Sequence, residues 1–436
     1  MLRLRSLLPL ALFLAGLQPL AAQCSDDSFH DEGSQRDYEL VQEFINAKRS
    51  IPLKEIESEF KLFGSLQTDI RYRHEKLGDC SLRGGGAKDG RGVPIRRNEE
   101  ELEFNLRASY SCGKAWLEAH LELDHSLGIF HEAKPCSEDP QGLFGSGSWD
   151  EICLKKAIFG YRIWEKDKKD LTIEIGRNRI YKQFDSRVQY DSLMDGIFIK
   201  YGHEFEPSWK IYAQAAGFVV DERANHYAYI VELGTYDFYE SRVDLKYSFI
   251  DWAQARHNRC GVSSPRGIQF KNSQWFAAYN FREELLGKKA RLYGAFILNH
   301  AAKRRLVSPR IKANRAGYIG FIIGDVEKAR DWSFDINWQV VEWGAVPNED
   351  SHGIGKGFVS FSGDPGDPTM VTVCDQTYPF TDLTKTNYKG VHSEFLYALT
   401  DKISLDVTYE VASSANERIL DNHLFRKFEL DLILAF

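Results

Sequence analysis

Long apolar runs are missing from this 436-residue chain once its first 22 residues are set aside. A helix needs about 20 consecutive apolar residues to cross a bilayer. The best later stretch, Gly317-Tyr318-Ile319-Gly320-Phe321-Ile322-Ile323, is about half of that, so a helical membrane protein is excluded. Positive charge is not in excess either. The 56 Lys and Arg stand against 63 Asp and Glu, a formal charge of −7, and that balance offers no electrostatic footprint for a nucleic-acid partner. No two of the seven cysteines have the C-x2–4-C spacing of a zinc site. No recognisable motif sets a serine nucleophile beside a histidine, and no cofactor or metal is expected. Methionine (3) and proline (13) are scarce, whereas there are 20 Tyr, 28 Phe, 9 Trp and 34 Gly. So many aromatics argue against disorder and for β structure.

The first 22 residues read as a secretory signal peptide. Arg3 and Arg5 give a positive start, Leu7 to Leu17 an apolar run, and Leu20-Ala21-Ala22 a small-residue site with cleavage after Ala22. Cys24 invites a lipoprotein reading, but Gln23 stands where that motif wants a small residue. Residues 23–57 are polar and form an N-terminal segment, periplasmic or plugging a lumen. Within it Tyr38, Leu40, Val41, Phe44 and Ile45 fit one face of a short helix ended by Pro52. Residues 58–436 alternate.

That alternation is clearest at the C-terminus. Phe428, Leu430, Leu432, Leu434 and Phe436 share one face, and Lys427, Glu429, Asp431, Ile433 and Ala435 the other. Successive strand residues face opposite sides, so this is a ribbon with one apolar face. Trp332, Phe334, Ile336, Trp338 and Val340 repeat the pattern, as do Ile403, Leu405, Val407, Tyr409 and Val411. Sixteen such strands are expected, near 60–72, 102–110, 115–123, 157–163, 171–175, 197–201, 209–219, 227–233, 243–249, 274–281, 290–298, 317–323, 332–340, 391–399, 403–411 and 425–436. A soluble sandwich also alternates, but it does not sort its connections by parity. Here long gaps (73–101, 124–156, 250–273, 299–316, 341–390) alternate with short ones (111–114, 164–170, 282–289, 324–331, 400–402), and 220–226 against 234–242 is the exception. Short turns at one end and long loops at the other are the rhythm of an up-and-down transmembrane barrel with an even strand number. The expected fold class is all-β, a 16-stranded antiparallel transmembrane β-barrel with a short N-terminal helical segment. Such a barrel encloses an aqueous channel, where about eight strands would be filled by their own side chains.

The signal peptide, the alternating strands, the aromatic strand ends and the terminal Phe436 resemble those of bacterial outer-membrane porins, over roughly residues 58–436. The cysteines add a resemblance to the cysteine-containing major porins of chlamydia-like bacteria. The porin resemblance implies an outer-membrane location in a Gram-negative bacterium and a homotrimer. It makes Phe428, Leu430, Leu432, Leu434 and Phe436 the mark read by the outer-membrane assembly machinery. It also implies that the loop after the fifth strand folds inward and narrows the pore. That loop, 176–196, sets Arg177, Arg179, Lys182 and Arg187 against Asp185, Asp191 and Asp195, and facing charges in a narrow lumen make a transverse field. Inward acids (Glu103, Glu118, Glu122, Glu174, Asp335, Asp406, Glu410) and bases (Lys61, Arg107, Arg162, Lys200, Lys210, Lys246, Arg291) are balanced, which implies weak ion selectivity.

Cysteines of an exported chain meet an oxidising compartment. Cys136 and Cys153 share one long gap and are the expected disulfide; Cys112 falls in a short turn. His352-Gly353-Ile354-Gly355-Lys356-Gly357 lacks phosphate-loop spacing and reads as a flexible loop, Gly363-Asp364-Pro365-Gly366-Asp367-Pro368 as turns, and Glu99-Glu100-Glu101 as a solvated strand end. The expected function is a non-enzymatic, water-filled channel for small hydrophilic solutes and ions, in contact with outer-membrane lipid. The rivals are a barrel enzyme, for which lumen-facing His120 is the one candidate base, an adhesin working through 341–390, and a secreted, soluble, β-rich carbohydrate-active protein recoverable without detergent.

Overall fold

The computed structural model describes residues 51–53, 58–84, 95, 97–126, 151–180, 183–205, 209–221, 226–253, 269–302, 313–359, 370–373, 376–379, 385–419 and 422–436. Sixteen long strands close into an antiparallel barrel. They are β1 (Ser58–Leu77), β2 (Asn98–Cys112), β3 (Ala115–Ser126), β4 (Glu151–Lys166), β5 (Lys169–Arg179), β6 (Leu193–Glu204), β7 (Lys210–Asp221), β8 (His226–Tyr236), β9 (Val243–Ala253), β10 (Lys271–Asn280), β11 (Ala290–Asn299), β12 (Arg315–Gly324), β13 (Trp332–Val341), β14 (Tyr388–Ala398), β15 (Ile403–Ser414) and β16 (His423–Ala435). Each pairs with its sequence neighbours, and β1 pairs with β16 from Ser65↔Ala435 to Leu77↔His423, so no long edge is left open. Two short strands extend the same sheet: Ile51–Leu53 folds back on the start of β1, and Cys80–Ser81 on its end. The short helix expected over 38–45 lies outside the described residues. Among the described residues no helix is long and apolar enough to cross a membrane.

The period of two sorts side chains as expected, with the polar set inside. On β13, Ser333, Asp335, Asn337 and Gln339 are buried, while Ile336 and Trp338 are 38% and 50% exposed on the outer face. On β16, Lys427, Glu429 and Asp431 are 1% exposed, and Phe428 and Leu432 stand out at 43% and 48%. A water-soluble protein would show the reverse. Connections after the odd strands are long and those after the even strands short, except that four residues separate β7 from β8 and six separate β8 from β9. Asp167 and Lys168, the two residues between β4 and β5, both have positive φ (52° and 61°), the geometry of a type I′ hairpin turn.

The strands are longer than the alternation shows. β1 runs to Leu77 rather than 72, and β4 starts at Glu151 rather than 157. Beyond the apolar belt both faces are wet, so the backbone ladder continues without a hydrophobic pattern to mark it. Two cysteine expectations change as a result. Cys153 lies on β4, facing inward and buried, rather than in a long connection; Cys136, its expected disulfide partner, lies outside the described residues. Cys112 ends β2 in the same alternating set as Leu102 and Tyr110. Phe436 closes the seam. Its N–H donates to the Gly64 carbonyl (2.9 Å), Gly64 N–H donates back (3.1 Å), and its ring lies across Gly64, where a β-carbon would come within 2.5 Å.

Candidate functional site: the lumen and its two inward loops

A barrel filled with water has no use for an apolar inner wall, yet β6 to β9 carry one. Met194, Phe198, Ala216, Phe218, Ala228, Ile230, Ile250 and Trp252 are buried and face inward. Leaving them wet would cost about 25 cal/mol per Å². The connection between β5 and β6, 180–192, covers them. Its Ile180, Phe184 and Tyr190 join the same cluster, with Phe184 edge-on to Phe198 at 5.8 Å. Polar contacts fix its register. The Tyr190 hydroxyl meets Ser248 Oγ at 3.0 Å, Gln189 Nε2 donates to Gln274 Oε1 (3.2 Å), and Asn272 Nδ2 donates to Gln189 Oε1 (3.2 Å).

A second apolar wall, on β10 to β13, includes Phe276, Tyr293, Ile297, Tyr318 and Val341. Residues 342–359 cover it with Ala345, Val346, Ile354 and Phe358. The stretch 352–357, expected to be a flexible loop, is therefore packed inside: Gly353–Gly357 is a 3-10 turn with Ile354 and Gly355 buried. Gly353 has φ +69°, and a β-carbon there would lie 2.4 Å from the Arg187 carbonyl oxygen, so only glycine fits. The two loops hold each other. Asp350 accepts from Tyr190 N–H (3.0 Å) and from the Ser192 hydroxyl (2.9 Å) and N–H (3.3 Å). Asp191 meets Lys356 Nζ at 3.3 Å and His352 Nδ1 at 3.4 Å.

The residues expected to narrow the pore divide into two groups. Asp185 accepts from Lys246 Nζ (3.2 Å), Arg187 donates to Asp335, and Asp191 joins Lys356, all inside the barrel. Arg179 approaches Glu122 at 3.5 Å, and Glu122 is paired with Lys155 at 2.5 Å. Arg177 and Asp195 do not join them. β5 and β6 extend that far, and the period of two puts this pair on the outer face beside Ile175 and Ile197, bonded to each other at 2.7 and 3.0 Å. Lys182 lies outside the described residues. Lys155, Asp350, His352 and Lys356 were not legible in the sequence. Lys155 faces inward beside Lys156 because the β3–β4 register shifts between His120 and Leu121, a bulge.

The remaining wall, β14 through β16 to β2, is charged. Glu99, expected in solvent, is 19% exposed and meets Arg73 at 3.0 Å and Arg71 at 3.4 Å. Glu75 bonds Arg83 (2.9 Å) and His423 (2.8 Å). His120, the one candidate base, hydrogen-bonds Asn105.

Burial raises the Asp350 carboxyl from 3.8 to about 8, against the three donors that lower it. A group whose folded value lies above its unfolded value lends its stabilisation fully at low pH and loses it as pH rises through the folded value. Docking of the two loops should thus weaken between about pH 4 and pH 8. Open-channel current noise is expected to rise over that range, and Asp350→Asn, which stays neutral, should flatten the dependence. Equal slopes in both proteins would show that Asp350 does not govern the docking.

No family model and no curated protein matches the sequence. Among solved structures the chain is similar to Pseudomonas putida OprB at high pH, with 10% identity, 86% of this chain and 94% of that chain covered, and a TM-score of 0.48. It is also similar to a triple mutant of the porin of Rhodopseudomonas blastica, with 9% identity, 86% and 100% covered, and a TM-score of 0.40.

Proposed function

We propose that this chain is an outer-membrane porin, a water-filled channel for passive diffusion of small hydrophilic solutes and ions. One observation carries the reading: the closed sheet turns apolar side chains outward and ionised ones inward, the arrangement lipid outside and water inside require. The loop 180–192 is the constriction. Asp185, Arg187 and Asp191 stand on the loop side, paired with Lys246, Asp335 and Lys356; Arg179, Glu122 and Lys155 stand on the β3–β5 side. The water path runs along β3 to β6, where Glu118 is 37% exposed and Lys156 23%.

In this reading the mature chain begins after Ala22, residues 58–436 form the barrel in the outer membrane of a Gram-negative bacterium, and three copies associate. The last strand, ending in Phe436, is the mark for the assembly machinery. The likeness to cysteine-containing porins of chlamydia-like bacteria belongs here too, and a shift in mobility on reduction would support it. The decisive experiment is conductance of the refolded chain in planar bilayers. Stepwise ohmic currents should appear, be blocked progressively by sugars up to a size limit, and reverse near zero potential in a salt gradient. A chain that is soluble without detergent and gives no steps would refute the proposal.

A further inference from the structure

The strands that close the barrel carry an unusual row. On the inner face, Asp406 of β15 is the cross-strand partner of Asp431 of β16, Asp431 of Asp69 of β1, and Asp69 of Glu101 of β2. Four carboxylates thus lie side by side across four strands, although like charges directly opposite destabilise a sheet. In the next row, Thr408, Glu429 and Arg71 are partners in the same way. Asp69, Glu429 and Asp431 each bring one oxygen within 4.8 Å of the others, and all three are buried.

Asp69 and Glu429 have cationic neighbours. Arg71 donates to both, with 2.7 Å to Asp69 Oδ2, and Lys427 Nζ lies 2.6 Å from Glu429 Oε2. Asp431 feels Arg71 and Lys427 only at longer range: it is 1% exposed and neither of its oxygens receives a hydrogen bond. Two neutral oxygens beside it are in the same position. Gln67 Oε1, two residues before Asp69 on the same face, and Thr408 Oγ1, opposite Glu429, are unbonded at 5% and 1% residue exposure. A buried carboxylate left unpaired is costly. One shared proton can bridge only two oxygens, and the Gln67 carbonyl oxygen can only accept.

We propose that this cluster binds a hard divalent cation, calcium by preference, through Asp431, Asp69 and Glu429, with Gln67 and Thr408 as neutral oxygen ligands. The donor set is all oxygen, mixes carboxylate with neutral groups and is drawn from three strands. Calcium accepts irregular shells of six to eight oxygens, whereas magnesium demands a near-ideal octahedron and keeps several waters, for which so covered a site has no room. Arg71 and Lys427 offset two of the three carboxylate charges, and Asp406 and Glu101 extend the acidic row, so the field at Asp431 favours a cation. The bound ion ties β15, β16 and β1 together where the first and last strands meet, and acts as a clamp on barrel closure. This rests on the closed barrel alone, and its failure would leave the conductance test untouched.

The test uses the full-length mature chain, refolded in detergent and stripped with EDTA, with calcium alone as the probe. Titration calorimetry should show one calcium per chain. Calcium should also raise the temperature at which the folded band is lost on SDS gels. Asp431→Asn should weaken binding about tenfold or more and abolish the thermal shift. Asp251→Asn, whose carboxylate pairs with Lys271 on β10, should keep both. If Asp431→Asn does not refold, Thr408→Val, which changes no charge, should still weaken calcium about tenfold. The proposal is overturned if the wild-type chain binds no calcium at millimolar concentration. It is equally overturned if Asp431→Asn, or Thr408→Val in its place, binds as well as wild type, or if calcium-free Asp431→Asn is already as stable as the calcium-loaded wild type, the mark of a shared proton.

Discussion

Arginine in place of Ile319 is expected to cost the folded barrel about 2–4 kcal/mol in lipid vesicles, the penalty for a guanidinium near the bilayer midplane. Ile319 lies at the centre of β12, is 54% exposed on the outer face, and has Gly294 and Trp338 as its cross-strand partners. The same barrel already holds Arg71 and Arg73 on the inner face, at 2% and 1% exposure, so the cost is one of side and not of residue type. Urea titration of the refolded protein in vesicles, followed by tryptophan emission, measures it. An Ile319→Arg protein as stable as wild type would mean that this face meets water, and the membrane reading would fall with it.

Releasing the inward loop should have the second large effect. Arg187→Ala combined with Tyr190→Ala removes the ion pair to Asp335, the bond to Ser248 and an aromatic side chain from the apolar cover of β6 to β9. The two residues are close in one loop, so their effects should not add. Deleting one partner of a buried pair leaves the other uncompensated, worth about 3–5 kcal/mol, enough to undock a loop without opening a sixteen-strand sheet. Single-channel conductance is expected to rise about twofold and the sugar size limit to increase, since the passage would then be bounded by the wall. An unchanged conductance and size limit would place the narrowest point elsewhere, and the paired 342–359 loop, tied through Asp350 and Lys356, would be the next candidate.

Local pattern alone carried the barrel a long way. A period of two needs no tertiary information, because each side chain's face follows from its parity within the strand. Hence Trp332 to Val340 and Phe428 to Phe436 could be assigned to the lipid side, and loop lengths sorted by parity indicated sixteen strands in an up-and-down order. β8 also held a readable clue: Ala228 and Ile230 face inward while Tyr229 and Val231 face out, and a strand apolar on both faces signals that its lumen side is covered.

What covers it was not legible, since the match between Phe184 and Phe198, or between Ile354 and the wall of β10 to β13, joins residues whose neighbourhood exists only after closure. The same holds for Arg177 and Asp195, whose side depended on where two strands end, and for Lys155, turned inward by a one-residue register shift. Most of all it holds for the carboxylate row from Asp406 through Asp431 and Asp69 to Glu101: each is an ordinary inward acid in its own strand, and only the register between the first and last strands sets them side by side. Parity along a strand is local and written in the chain; alignment between strands is a property of the closed sheet.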